Sequence, residues 1–205
     1  SAPKGYILQN TRTDSDFTQN FTKIRKDHTT FLQGEEERTK QYHKGIFVDI
    51  FPGDRVPSGK IGQKIQYIAC AVNLLYSRGY TSGSGGMIGK VERFLLKAPK
   101  EKYPVRRERA EKKIRSWNGN ESLLYVFPNT IGSSRKYYPA NLFENMKTIE
   151  FNGKRYMCVA DADAPLRIEY GDYMQLPPEE ERVWKHHPIL IDFKHNYEEL
   201  RDDES

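Results

Sequence analysis

Residues 43–54 have the sequence HKGIFVDIFPGD, and the rest of the chain can be interpreted from this stretch outward. Most of its central residues are β-branched or aromatic, which is typical of a strand buried on both faces of a sheet. Pro52 and Gly53 predict the end of that strand. Asp49 places one carboxylate inside the apolar run, where an unpaired charge is costly to bury. We therefore expect a cation, a metal ion or several hydrogen-bond donors beside Asp49.

Two roles are open for Asp49 on residue pattern alone. It can be a structural residue whose oxygens accept hydrogen bonds from the backbone of a neighbouring loop. It can also be a catalytic or metal-binding carboxylate, because hard cations prefer oxygen ligands. Upstream, Lys23 and Arg25 lie two residues apart in a predicted strand over 21–32. Their side chains would share one face and could bind an anion together, the alternative being a solvent-exposed strand face.

The bulk composition is that of an ordinary folded protein. The 205 residues suffice for one domain, and 37% hydrophobic with 12% aromatic residues excludes a disordered chain. The formal net charge of +5 suits an anionic partner without selecting one. Cys70 and Cys158 can form neither a disulfide framework nor a four-ligand zinc site, so a cytoplasmic protein is expected. No apolar run is long enough to span a bilayer.

Hydrophobic periodicity predicts a mixture of helices and strands. Helices are predicted over 61–77, 87–97, 104–117 and 161–170, and strands over 5–9, 21–32, 46–51 and 122–127. Asn152 and Gly153, between two alternating runs, predict a type I′ hairpin. We expect a single domain over 1–197, followed by an acidic and disordered tail over 198–205.

The helix predicted over 104–117 is strongly basic. It carries Arg106, Arg107, Arg109, Lys112, Lys113 and Arg115 against Glu108 and Glu111. Such a helix could contact nucleic acid or anionic lipid. It could also be a solvated face with Val105, Ala110 and Ile114 turned inward. Because the sequence has no zinc finger, recognition helix or RNA-binding sheet motif, we expect no nucleic-acid partner.

Two motifs in this chain resemble those of the LicD family, which includes the fukutin-related proteins. Residues 43–54 resemble the family's H-x-G-h-x-h-D-I-F-P-x-D signature. Residues 170–178, YGDYMQLPP, resemble its C-terminal Y-G-D-Y-M-x-L-P-P motif. Residues 21–31 are similar to the segment that precedes the signature strand. The likeness extends from about Gly5 to His187.

The resemblance implies an α+β, nucleotidyltransferase-like fold with helices flanking a mixed sheet. LicD proteins transfer phosphocholine, or a related phospho-alcohol or sugar phosphate, from a CDP-linked donor to a glycan or glycolipid hydroxyl. The acceptors are surface polymers such as lipopolysaccharide, teichoic acid or capsule. The family site holds Mg²⁺ or Mn²⁺ with a cluster of aspartates. By this resemblance Asp49 is the catalytic and metal-binding carboxylate, and Lys23 and Arg25 contact the donor phosphate.

Further roles follow from the same likeness. Asp54 is expected to orient the loop around the site. Tyr170 and Asp172, in the second motif, are expected to face the acceptor or to be structural. A bacterial, cytoplasmic enzyme is implied, without a transmembrane segment and placed peripherally at the inner face of the membrane.

The chain departs from the family pattern in its aspartates. The family's Gly-Thr-Leu-Leu-Gly segment and Trp-Asp-Asp-Asp run do not occur. Asp14 and Asp16 form the only Asp-x-Asp upstream of Asp49, in a turn-rich context unlike the family's. We therefore expect the C-terminal portion of a LicD-type domain, incomplete at its N-terminus and inactive alone. The alternative is a non-catalytic glycan- or phosphate-binding module on the same scaffold.

Overall fold

The computed structural model describes residues 2–14, 16–119, 124–127, 135–183 and 187–202. The described residues form helices and small antiparallel sheets, which confirms the α+β class. The helices are α1 (Lys60–Arg78), α2 (Gly86–Leu95), α3 (Tyr103–Arg115), α4 (Asp163–Tyr170) and α5 (Tyr197–Asp202). The strands are β1 (Tyr6–Gln9), β2 (Thr22–Lys26), β3 (Thr30–Leu32), β4 (Phe47–Ile50), β5 (Asp54–Arg55), β6 (Leu124–Val126), β7 (Tyr137–Pro139), β8 (Met146–Phe151), β9 (Lys154–Val159) and β10 (Leu190–Asp192).

The chain divides into two compact units. The first unit comprises residues 1–51, 77–79 and 178–205, and the second comprises residues 52–76 and 80–177. Two compact units of one chain can unfold together as a single cooperative domain. The single domain expected over 1–197 therefore stays a prediction.

The first unit contains two antiparallel sheets. One has the strand order β1-β2-β4, and the other pairs β3 with β10. The single strand predicted over 21–32 is wrong, because a turn separates β2 from β3. Within that turn His28 has a positive φ of 53°, and its N–H donates to the Asp27 carboxylate. A local hydrogen bond of this kind stabilises a turn in competition with an extended strand.

The environment of β4 differs from the sequence expectation. Within the described residues β4 is an edge strand of its sheet, hydrogen-bonded only to β2. Val48 is 68% exposed and Ile50 is also exposed, whereas Phe47 and Asp49 are half-buried. The prediction of a strand buried on both faces is therefore wrong. Apolar composition alone cannot distinguish a central strand from an edge strand with one open face.

The second unit contains α1 to α4, the β5-β6-β7 sheet and the β8–β9 hairpin. Ala69 and Cys70 of α1 pack with Ile114 of α3 in a small buried cluster. The predicted helices all form, with shifts of a few residues at their ends. Asn152 and Gly153 both have positive φ, at 51° and 71°, as the predicted type I′ turn requires.

The basic helix α3 turns Ala110 and Ile114 inward, as the solvated-face interpretation expects. Val105, also expected to face inward, is 49% exposed instead. Two ion pairs at i,i+4 spacing offset part of the positive charge of α3. They are Lys112–Glu108 at 3.1 Å and Arg115–Glu111 at 3.6 Å. Exposed pairs of this type add only a few tenths of a kcal/mol each.

The C-terminal segment is more ordered than the sequence suggested. Residues 198–202, expected to be a disordered tail, continue α5, while residues 203–205 lie outside the described residues. Tyr197 at the start of α5 is buried. The Arg38 guanidinium donates to its hydroxyl at 3.5 Å. Burial of this aromatic ring fixes the first turn of the helix to the first unit.

Two further expectations concern cysteines and membrane spans. Cys70 and Cys158 are both free thiols in the second unit. Burial raises the pKa of the Cys70 thiol. In the part of the chain that the structure describes, no helix combines the length and apolarity needed to cross a membrane.

Candidate functional site

The predicted site residues of the first unit lie on one face of the β1-β2-β4 sheet. Antiparallel register places Lys23 opposite both Gln9 and Asp49, and Arg25 opposite Phe47. Directly opposed residues project from the same face of a sheet. We call the surface formed by Gln9, Lys23, Arg25, Phe47 and Asp49 the cationic face. The period-two expectation that Lys23 and Arg25 point together is confirmed.

Arg25 is the most buried charge on the cationic face, at 2% exposure. Its Nε donates to Gln9 Oε1 at 2.6 Å, and its Nη1 donates to the Gly45 carbonyl at 2.9 Å. The guanidinium also lies 4.9 Å from the Phe47 ring and 5.4 Å from the Tyr42 ring. Burial lowers the pKa of Arg25, opposed by nearby acidic groups. With two donors committed internally, Arg25 acts first as a tie between β1, β2 and β4.

Lys23 and Asp49 form a partly buried ion pair beside Arg25. Lys23 Nζ lies 3.7 Å from Asp49 Oδ1, and it sits 3.3 Å from the centre of the Phe47 ring. Burial lowers the pKa of Lys23, and the Asp49 carboxylate counteracts part of that shift. Asp49 Oδ1 is buried and has no hydrogen-bond partner among the described residues. The Asp49 side chain as a whole remains 31% exposed.

The His-x-Gly part of the motif explains how β4 reaches Arg25. His43 Nδ1 accepts a hydrogen bond from Gly45 N at 3.0 Å, so the imidazole folds over the glycine backbone. A Cβ on Gly45 would overlap the Lys26 carbonyl oxygen and lie 2.7 Å from His43 Cε1. Glycine at position 45 therefore permits the close approach through which its carbonyl accepts Arg25.

The acidic residues around Asp49 do not complete a divalent metal site. Asp14 reaches the cationic face only through Gln9, whose Nε2 donates to Asp14 Oδ2 at 3.1 Å. Asp16 instead accepts the Gln41 N–H at 3.0 Å. Within the described ranges no group of three or more His, Cys, Asp or Glu side chains could hold a metal ion. Since Mg²⁺ needs several oxygen ligands, and Lys23 already faces Asp49, these residues alone do not fit Mg²⁺ or Mn²⁺.

Asp54 lies in the second unit, where it fixes the segment after α3. Its Oδ1 accepts Asn118 Nδ2 at 2.6 Å, while Asn118 Oδ1 accepts the Arg55 N–H at 2.7 Å. Burial raises the pKa of Asp54, opposed by its hydrogen bond to Asn118. The local function of Asp54 is thus to hold Asn118 against β5. Its expected role toward Asp49 stays a prediction.

We expect Asp54→Asn to be more stable than the wild type at neutral pH. The pKa of Asp54 is higher in the folded state than in the unfolded state. Ionisation of Asp54 therefore lowers the stability of the wild type as pH rises from the usual aspartate pKa through the folded-state pKa. Asparagine can still accept Asn118 Nδ2 without carrying the charge. The stability gain of Asp54→Asn should vanish at a pH below the usual aspartate pKa, because Asp54 of the wild type is then protonated in both the folded and the unfolded state. Urea unfolding at neutral and acidic pH measures this difference.

Asp54→Ala is the matched comparison for that substitution. Alanine removes the acceptor of Asn118 Nδ2, and because Asn118 is exposed the loss should be that of an ordinary hydrogen bond, about 0.5–1.5 kcal/mol relative to Asp54→Asn at every pH. Equal stability of the asparagine and alanine variants would contradict the hydrogen-bond role. A neutral-pH loss in Asp54→Asn would contradict the charge penalty.

Tyr170 and Asp172 lie in the second unit at the end of α4. Tyr170 is 69% exposed, and Asp172 is exposed as well. Gly171, with φ of 69°, ends the helix between them and donates its N–H to Arg167 O at 2.9 Å. The next residue of the motif is better anchored, because Tyr173 donates its hydroxyl to Asp163 Oδ1 at 2.8 Å. The acceptor-side or structural roles of Tyr170 and Asp172 stay predictions.

Asp163 and Gln9 are structurally important residues that sequence reasoning missed. The Asp163 carboxylate accepts hydrogen bonds from the Tyr173 hydroxyl and from Arg167 Nε, the latter at 2.6 Å, and so organises the second motif. Gln9 joins Arg25 to the loop at Asp14. Gln9 lies two residues after Ile7 in the strand predicted over 5–9. Alternation along a strand places both side chains on the same face, and this spacing was the available signal.

Comparison with known proteins leaves the family unassigned. No family model matches the chain, and neither a curated protein nor a solved structure matches it.

Proposed function

We propose that this chain is the C-terminal portion of a LicD-type transferase. The transferred group is phosphocholine or a related phospho-alcohol or sugar phosphate, taken from a CDP-linked donor. The acceptor is a hydroxyl of a cell-surface glycan or glycolipid. The proposal rests on the two motifs at residues 43–54 and 170–178 and on the nucleotidyltransferase-like fold that they imply.

One observation on the cationic face carries the proposal. Asp49 Oδ1 is buried without a hydrogen-bond partner in the described part of the chain, and it faces Lys23 at 3.7 Å. The Lys23 ammonium group compensates the charge of this oxygen, but a separation of 3.7 Å is longer than a hydrogen bond. A hydroxyl or another donor close to this carboxylate would complete its hydrogen bonding. Asp49 is therefore suited to accept a hydrogen bond from a ligand.

The chemistry assigned to Asp49 is that of a general base. An acceptor hydroxyl attacks the phosphorus atom of the donor next to the alcohol or sugar, and its proton passes to Asp49. A new oxygen–phosphorus bond forms while the pyrophosphate bond breaks, and the bonding electrons leave with CMP. Lys23 would offset negative charge on the phosphate in the transition state. Arg25 holds Phe47 and Gly45 in place behind these groups.

The described residues do not supply the additional carboxylates that the family uses for its metal. Transfer by this chain alone is accordingly not expected. In the proposal those carboxylates come from sequence outside these 205 residues. The second candidate, a glycan- or phosphate-binding module, is favoured by the two internal hydrogen bonds of Arg25, which fix the geometry of the cationic face.

Calorimetric titration of the chain with CDP-choline tests the proposed donor site. We expect weak binding that Lys23→Gln reduces about tenfold, because a charge-assisted contact to phosphate is replaced by a neutral one. Glutamine retains an N–H that can donate toward Asp49, so the fold should persist. Lys26→Gln is the matched control, since Lys26 lies on the same strand with its side chain exposed. Its affinity should equal that of the wild type.

The outcomes of this titration separate the two candidates. The binding module is favoured if a neutral oligosaccharide binds as tightly as CDP-choline and if Lys23→Gln leaves the oligosaccharide affinity unchanged. Absence of CDP-choline binding, or equal losses in the two lysine variants, would overturn the donor site. Adding Mg²⁺ should leave the affinity unchanged, because these residues do not complete a metal site.

A further inference from the structure

We propose that α2 is the surface through which this protein docks on an anionic lipid membrane. The inference concerns the second unit only, and it does not depend on the proposed transfer chemistry. Four apolar side chains of α2 face solvent. Exposed basic residues lie close to them along the chain.

The apolar residues of α2 form one exposed stripe. Met87, Ile88, Val91 and Phe94 fall within an arc of roughly 120° on the helix surface. All four are exposed, with Phe94 at 71% and Met87 at 81%. The one buried residue of α2 is Gly89, on the opposite side. A helix of a globular domain ordinarily turns its apolar stripe inward, so α2 presents the reverse arrangement.

The attachment of α2 explains why its stripe is not needed for packing. Tyr76 of α1 donates its hydroxyl to Leu95 O at 3.2 Å, and Tyr103 of α3 donates to Leu96 O at 2.8 Å. The two tyrosine rings also pack together, with centroids 5.1 Å apart. These bonds satisfy carbonyl groups at the helix end that have no intrahelical partner. The helix is thus held by its C-terminal end, and the stripe stays available.

The charge around the stripe selects the occupant. Residues 86–102 contain five basic and two acidic residues, and all five basic side chains are exposed: Lys90, Arg93, Lys97, Lys100 and Lys102. Glu92 is engaged locally, because its carboxylate accepts Ser82 N and Ser82 Oγ, each at 2.9 Å. An exposed apolar stripe with lysines beside it is the pattern of an interfacial helix on anionic lipid. A second copy of the chain would bring the same positive charges together, which disfavours self-association through this face.

Vesicle flotation of the complete chain tests the proposal. We expect it to float with vesicles of phosphatidylcholine and phosphatidylglycerol, with a partition coefficient at least about tenfold higher than with phosphatidylcholine alone. High salt should reduce the partitioning. Phe94→Ser should lower it about tenfold, because the apolar insertion is lost. Lys90→Gln combined with Lys97→Gln should lower it several-fold on the anionic vesicles only.

Phe151→Ser is the matched control. Phe151 is 63% exposed on β8, so its loss removes a comparable apolar group from a different surface. Its vesicle binding should equal that of the wild type. Failure to float with anionic vesicles, or equal losses in Phe94→Ser and Phe151→Ser, would overturn the proposal. Light scattering without lipid that revealed a dimer dissociated by Phe94→Ser would also overturn it, by assigning the stripe to a second copy.

Discussion

Replacing Arg25 by methionine is expected to lower the free energy of unfolding by about 3 kcal/mol. Methionine preserves much of the aliphatic volume but removes both donors, which leaves Gln9 Oε1 and the Gly45 carbonyl without Arg25. Each buried acceptor left unsatisfied costs about 1–3 kcal/mol. Loss of the guanidinium from the Phe47 and Tyr42 rings adds to the effect. Urea denaturation at neutral pH measures the change directly.

Two companion variants make the Arg25 result specific. Arg25→Lys keeps the charge but cannot reach both acceptors as a planar fork does, so an intermediate loss is expected. Lys26→Met removes an exposed cation from the next position and should change stability by less than about 0.5 kcal/mol. A loss in Arg25→Met no larger than in Lys26→Met would show that Arg25 does not tie the three strands.

Replacing Asp49 by asparagine is expected to reduce transferase turnover by about 10²- to 10⁴-fold, the range for loss of a general base. The assay uses a longer protein that carries these residues together with an Asp-x-Asp segment, with a CDP-linked alcohol as donor. Asparagine is nearly isosteric and can donate but cannot accept the hydroxyl proton. Donor affinity should change little, so the loss should appear in kcat.

Glu150→Gln is the control for Asp49→Asn. It neutralises an exposed carboxylate on the β8–β9 hairpin, away from both motifs in sequence, and its turnover should equal that of the wild type. Near-wild-type turnover in Asp49→Asn would assign Asp49 to a structural role. Equal losses in the two variants would point to a general effect of charge rather than to proton transfer.

Local patterns predicted the elements whose formation depends on nearby residues. The Asn152–Gly153 turn formed as expected because both positions tolerate positive φ. The apolar repeat predicted the extent of α1 to within one residue at each end. It did not predict the buried face, because Ile61, Ile65 and Ile68 are exposed. Alternation in β2 placed Lys23 and Arg25 on one face. In each case the information lies within a few residues along the chain.

Long-range register was beyond the sequence pattern. Neither the edge position of β4 nor the pairing of Lys23 with Asp49 follows from the composition of residues 43–54. The burial of Arg25 depends on Gln9 and Gly45, which lie 16 and 20 residues away. The order of α5 likewise depends on the burial of Tyr197 rather than on the acidic residues around it. Such contacts are set by tertiary packing, which overrides local propensity.

The open edge of β4 gives Asp49 a second consequence, for colloidal behaviour. Residues 46–51 contain no other charged residue and are otherwise β-branched or aromatic, which is typical of a cross-β aggregation segment. A single carboxylate at the centre of a strand with one open edge opposes the stacking of identical copies, since the charges would meet in register. We therefore expect Asp49 to oppose aggregation through this edge, whatever chemistry it performs. Preparations in which it is neutralised should be checked for fibrils before any change is attributed to the site.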